Sequence, residues 1–286
     1  MKPAPFAYVR AEDIGQAITL WQQSGPDARL LAGGQSLVAS LNLRLADVPV
    51  LIDISRIDAL KGITITSTGL RLGALVTHGE IERSALVAEH APAMHQAAPL
   101  IAHPAIRSRG TIGGSLAYAD PAAEWPAVMV ALGATIVTCG PNGERHVPAE
   151  AFFLGLFETA LQDFEMIVAV DVPALVAGEW HVVRELARRS GDYAMVGLCG
   201  RTIASPAGQL SGTRLVYFGA GDRPVVAQAA MAALDAGDGL EAAKVALDQD
   251  LDPADDLQAS GAMKIHLAKV LLGRAFAPLL AKAKAA

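Results

Sequence analysis

The chain has 286 residues and a net charge of −6 at neutral pH, and its pI near 5.6 with no stripe of Lys and Arg excludes a nucleic-acid surface. Hydrophobic residues make up 52% of it, but no apolar run reaches bilayer length and the start, MKPAPFAYVRAED, has no apolar core, so neither a membrane span nor a signal peptide is expected. Length and composition support a cytoplasmic protein of two or three compact units.

In chain order, residues 6–9 read as a short strand and 11–24 as a helix, with Glu12 and Asp13 in its first turn and Ile14, Ala17, Ile18 and Trp21 on one face. Gly25-Pro26-Asp27 ends it. A strand over 28–31 runs into Gly33-Gly34, a helix over 35–45 follows, and 50–54 forms a third strand. This β-α-β-α-β order predicts a small parallel sheet. Past Ile57 the pattern changes to short alternating strands. Residues 62–66 and 69–72 predict a hairpin, and 135–139 with 144–147 a second one around Pro141-Asn142-Gly143. Helices are expected over 78–83, 94–98 and 122–132, a short helical piece over 148–153, and a strand over 165–170. From about Ala177 a separate unit opens, with strands over 180–184, 196–204 and 212–219 and helices over 225–236, 240–247 and 260–283.

Two stretches carry more than packing needs: LLAGGQSLVASLNLRL at 30–45 and HPAIRSRGTIGGSLAYADPAAEWP at 103–126. Paired glycines let backbone lie directly against a ligand, and consecutive free N–H groups at a helix start form an anion site. Neither stretch is the G-x-G-x-x-G fingerprint or a P-loop, and AGGQS alone is equally explained as a structural strand-to-helix turn. Gly219-Ala220-Gly221-Asp222-Arg223-Pro224 begins like that fingerprint, but its sixth position is Pro. Two cysteines, Cys139 and Cys199, cannot supply the four thiolates of an iron–sulfur cluster. The seven histidines offer no pair at ligand spacing on one helix face, so no metal site is expected. His78 and His103 read as ordinary hydrogen-bonded histidines. Arg107 and Arg109 read as structural ion pairs or a subunit contact rather than phosphate ligands.

The two glycine-paired stretches, the strand ending LIDISRI, and RRSGDYAMVG at 188–197 together resemble one family. It is the FAD-binding medium subunit of the carbon monoxide dehydrogenase and xanthine dehydrogenase class of molybdenum hydroxylases, and the resemblance covers essentially the whole chain. It implies an α+β fold. A two-part vanillyl-alcohol-oxidase-type FAD-binding domain would occupy 1–176, in subdomains of about 1–57 and 58–176. A C-terminal domain of a three-stranded antiparallel sheet and a helical bundle would occupy 177–286.

The resemblance also implies the site. Ala32, Gly33, Gly34, Gln35 and Ser36, with Thr111, Ile112, Gly113 and Gly114, would hold the diphosphate of noncovalent FAD. Ser115 and Asp120 would lie along the ribityl–phosphate region, and Glu124 would contact a cofactor hydroxyl. Tyr193 follows the Asp of an R-x-x-D motif; an aromatic face stacks on a flat ring and excludes water, which makes it the candidate for flavin gating. Taken alone, a buried Tyr with its hydroxyl satisfied explains that residue as well.

The implied function is electron transfer. A large partner would carry the molybdenum cofactor and a small partner two [2Fe-2S] clusters, in a dimer of heterotrimers, with electrons leaving to an external acceptor. No residue of this chain would act on the organic substrate. The alternative is a self-contained FAD oxidase or reductase, which needs acid–base residues over the flavin, and no convincing set is visible.

Overall fold

Asp13 decides where the first helix begins. In the computed structural model, which describes residues 2–205 and 208–285, strand β1 (Ala7–Arg10) leads to Asp13, whose carboxylate accepts from the Gln16 N–H and caps α1 (Ile14–Ser24). The helix therefore starts later than the apolar spacing predicts. Strand β2 (Arg29–Leu31), helix α2 (Leu37–Asn42) and strand β3 (Val50–Asp53) complete this unit. β1 and β2 both pair in parallel with β3, which gives the predicted parallel sheet in the order β1-β3-β2. Helix α2 is shorter than expected because Gly34 at φ +72° and Arg44 at φ +57° put both flanks in the left-handed region.

Strands β4 (Ile63–Thr66) and β5 (Gly69–Gly73) form the predicted hairpin. Helix α3 (His78–Arg83) follows, closed at its start by a capping box between Thr77 and Glu80. Then come α4 (Ala85–His90), α5 (Pro92–Ala97), α6 (Pro104–Arg107), α7 (Ile112–Tyr118) and α8 (Glu124–Leu132). Helices α4, α6 and α7 run for one or two turns, too short for a helical period to register in the sequence. Strands β6 (Thr135–Gly140) and β7 (Gly143–Pro148) make the second hairpin. Helix α9 (Ala149–Phe152) and the small hairpin β8 (Phe153–Gly155) with β9 (Glu158–Thr159) lead to β10 (Met166–Pro173). The resulting antiparallel sheet has the order β4-β5-β10-β6-β7, so its last strand in sequence is its centre.

The C-terminal part is built on β11 (Glu179–Leu186), β12 (Val196–Ala204), β13 (Leu210–Phe218) and β14 (Val225–Val226). Three long strands match the expectation; the fourth replaces the predicted start of a helix. β-Branched Val225 and Val226 pair with Tyr217 and Val216 at the sheet edge, so α10 (Gln228–Ala236) begins after them. With α11 (Leu240–Asp250) and α12 (Gly261–Ala285) it covers one sheet face, around Leu198, Leu215, Leu271 and Phe276. The other face sends Val183, Cys199, Val216 and Phe218 into the core that contains α8, from Trp125 to Leu132. Gln96 of α5 ties the parts together, donating to the His181 carbonyl at 3.2 Å and accepting from the Val183 N–H at 3.1 Å.

Candidate functional site

A cleft of about 900 Å³ lies where the parallel sheet, the α7–α8 region and residues 191–193 meet. Its first feature is the turn between β2 and α2. The backbone N–H groups of Gly33, Gly34, Gln35 and Ser36 donate to no acceptor among the described residues, although this turn lines the cleft. Four consecutive unpaired donors ahead of a helix form a concave anion cradle. Gly33 brings the cradle against the second turn: a Cβ there would stand 2.0 Å from the Arg109 carbonyl oxygen.

The second turn works differently. Thr111 caps α7, its hydroxyl accepting from the Gly114 N–H at 3.2 Å. The Ile112 and Gly113 N–H groups are already committed, to the Val76 and Ala74 carbonyls at 2.9 Å each. Gly113 is small because Ala74 lies behind it, a Cβ meeting the Ala74 Cβ at 2.6 Å. Ile112 is fully buried in the core and does not line the cleft; every other residue expected to hold FAD does. The turns are therefore unequal: the first offers donors, the second a close-fitting wall.

Carboxyls gather at the start of α8. Asp120 accepts from the Ala122 N–H at 2.9 Å, and burial raises its carboxyl above the usual range. Burial, then the charges of Glu185 and Asp120, push Glu124 up to about 8. Glu185 on β11 is pushed up to about 7 by burial, and its buried Oε2 has no partner among the described residues. Sequence reasoning missed Glu185, since nothing in an alternating strand marks which residue will face a distant helix start. Tyr193 lines the cleft with its residue 55% exposed and its hydroxyl end turned toward Asp120. Burial of its hydroxyl end and the Asp120 charge raise the phenol to about 12.

These carboxyls give stability a definite pH slope. A group that holds its proton more tightly when folded than its ordinary value of 4.5 costs stability as pH rises, because the unfolded chain releases that proton first. The melting temperature of the isolated chain should fall as pH is raised from about 4.5 to about 8. Glu185→Gln should flatten the lower part of that slope, up to about pH 7. Identical slopes for both proteins would remove this buried pair as the cause.

Two further elements shape the cleft. His78, at the start of α3, is held by Trp125, whose indole N–H donates to His78 Nδ1 at 2.9 Å. Burial and then the Arg107 charge push His78 down to about 4. Arg107 itself donates to both Glu82 oxygens at 2.9 and 3.1 Å and to the Ile101 and Ala102 carbonyls at 3.0 Å, the structural pairing expected of it. The opposite wall is the 159–167 segment. Its anchor is Glu165, which accepts from Arg145 twice at 2.7 Å, from the Thr138 hydroxyl at 2.6 Å and from the Gln162 N–H at 2.8 Å. Burial acts to raise this carboxyl, but those donors outweigh it and hold it down to about 2.

An anion cradle lining a cleft at the upper end of the ~300–1,000 Å³ usual for small-molecule sites suits a large phosphate-bearing ligand such as a dinucleotide cofactor. Comparison with known proteins agrees. The FAD binding domain in molybdopterin dehydrogenase matches residues 4–175, and the CO dehydrogenase flavoprotein C-terminal domain matches residues 181–279. The chain is 36% identical to the 6-hydroxypseudooxynicotine dehydrogenase complex subunit alpha of Paenarthrobacter nicotinovorans, over 99% of this chain and 97% of that one. It is 41% identical to the carbon monoxide dehydrogenase medium chain of Hydrogenophaga pseudoflava over 69% of each. A solved carbon monoxide dehydrogenase from Hydrogenophaga pseudoflava, lacking the Mo-pyranopterin moiety of its molybdenum cofactor, superposes with a TM-score of 0.94 at 36% identity, covering 99% of both chains. The chain belongs to the family of FAD-binding medium subunits of molybdenum hydroxylases.

Proposed function

We propose that this chain is the FAD-carrying electron-transfer subunit of a heteromeric molybdenum hydroxylase. The observation that carries it is the pairing of family membership with the cradle of four unpaired N–H groups at Gly33–Ser36. In this reading those groups and Ala32 hold the FAD diphosphate. Thr111, Gly113, Gly114 and Ser115 wall it, Asp120 and Glu124 meet hydroxyls farther along, and Tyr193 covers the flavin. Ile112 serves by fixing the second turn from the core. Residues 1–176 act as a two-part vanillyl-alcohol-oxidase-type domain and 177–286 as the C-terminal domain.

Bound FAD supplies the passage of electrons from iron–sulfur clusters to an external acceptor; the chain's own residues bind it, orient it and shield it from water. Partners carrying the molybdenum cofactor and two [2Fe-2S] clusters complete the assembly, as a dimer of heterotrimers. At neutral pH Glu124 holds its proton for most of the time, so it meets the cofactor as a hydrogen-bond donor.

The purified chain should bind FAD noncovalently, giving a flavin spectrum released by denaturation, and should contain neither iron nor molybdenum. Stoichiometric iron in the isolated chain would sink the proposal. Turnover of organic donors by the chain alone would favour a self-contained oxidase instead.

A further inference from the structure

We propose that the Nε2–H of His78 donates a hydrogen bond to an oxygen of the bound cofactor, a contact outside both glycine turns and outside the Asp120–Glu124 end. It rests on the FAD reading above. The argument begins with the indole of Trp125, which can only donate. Its N–H points at His78 Nδ1 at 2.9 Å, so Nδ1 must be the unprotonated, accepting nitrogen. The one ring proton of a neutral His78 then sits on Nε2. Neutrality itself follows from the surroundings: the residue is 5% exposed and the Arg107 charge acts on it.

Nε2–H has no acceptor among the described residues, and it is not sealed inside the protein. His78 lines the cleft, so the small accessible area it keeps opens there. The neighbouring backbone keeps the opening clear: a Cβ on Gly110 would stand 2.8 Å from Nε2. The ring is held by its bond to the fully buried Trp125 indole, and the backbone beneath it by the His78 N–H donating to the Gly110 carbonyl at 2.9 Å. A buried donor without a partner is costly, and such groups are normally satisfied by a neighbour, water or ligand. Gly110 also touches the first turn, its Cα lying 3.0 Å from the Cβ position of Gly33. The donor therefore addresses the part of the cleft beside the anion cradle, where the cofactor is rich in oxygen acceptors.

Two substitutions separate this role from simple support of Trp125. Asparagine places its amide at the Nδ1 position: His78→Asn keeps an acceptor for the indole and loses the cleft donor. Glutamine reaches the Nε2 position: His78→Gln restores a cleft donor and loses the indole's partner. FAD is titrated into apo wild type and both variants, with flavin fluorescence for affinity and apo melting temperature for the fold. Expected are wild-type-like melting with about tenfold weaker FAD binding for His78→Asn, and lower melting with affinity within about threefold of wild type for His78→Gln. Undiminished binding by His78→Asn overturns the contact, whatever glutamine does. A wild-type chain that binds no FAD overturns the function first and this contact with it, so the two failures are distinguishable.

Discussion

Gly33→Ala should cost the chain its FAD, with affinity falling by roughly a hundredfold or more. The added Cβ would lie 2.0 Å from the Arg109 carbonyl oxygen, 2.8 Å from that carbonyl's carbon and 3.0 Å from the Gly110 Cα. All three are backbone atoms, so no side chain can rotate aside and the two turns must part. Overpacking costs ~1–3 kcal/mol where side chains can adjust. A backbone neighbour puts this site at the top of that range, and each ~1.4 kcal/mol is tenfold in affinity. Gly15 on α1 provides the control, because it lies outside the cleft and its Cβ would meet only an Asp13 carboxylate oxygen, at 3.4 Å. Gly15→Ala should stay within a few-fold of wild type. Fluorescence titration of both variants tests the pair, and equal losses would remove the contact between turns as the cause. Gly113→Val should act on the fold before it acts on the cofactor, since Ala74 already fills the space behind it.

Glu165→Ala should lower stability by about 3 kcal/mol, the lower edge of the range for breaking a buried ion pair, because Arg145 keeps some water. Four donors lose their acceptor at once. Weaker FAD binding should accompany the loss, since Glu165 fixes the 159–167 wall of the cleft. The wild-type contribution has its own pH signature. Glu165 is held down to about 2 from an ordinary value of 4.5, so its stabilisation is complete above about 4.5 and is lost as pH falls toward 2. Chemical denaturation at pH 7 and pH 3 should show the gap between wild type and Glu165→Ala narrowing at the lower pH. A constant gap would assign the effect to packing.

A linear sequence exposes features that are decided locally and hides those decided by a distant neighbour. AGGQS and TIGGS announce themselves because a special backbone shape needs glycine locally. The alternating strands and the β-α-β-α-β start were legible for the same reason, as periodicity is local. Glu185, Trp125 and Gly110 were not, because each acts through a neighbour brought up from another segment. The unequal character of the two turns was hidden too: Thr-Ile-Gly-Gly has the look of a donor turn, but Val76 and Ala74 take its donors. Val225 and Val226 were drawn into the wrong element because apolar residues before a helical stretch fit either period until a strand edge lies alongside.

The central position of β10 carries a consequence for synthesis. Its partner β5 leaves the ribosome long before it does: Arg71 and Asp171, paired at 3.2 Å across the two strands, are 100 residues apart in the chain. At ~5–20 residues per second, that interval lasts on the order of 10 s. Through it the β4–β5 hairpin has no β10 beside it and its β5 edge stays open to stray pairing, while the β6–β7 hairpin is complete only once Pro148 has been made. The wall of the cleft that includes Glu165 arrives with β10 itself. Nascent chains thus pass through a cofactor-blind, adhesive interval, in which slower elongation would lengthen exposure and added FAD would give no protection.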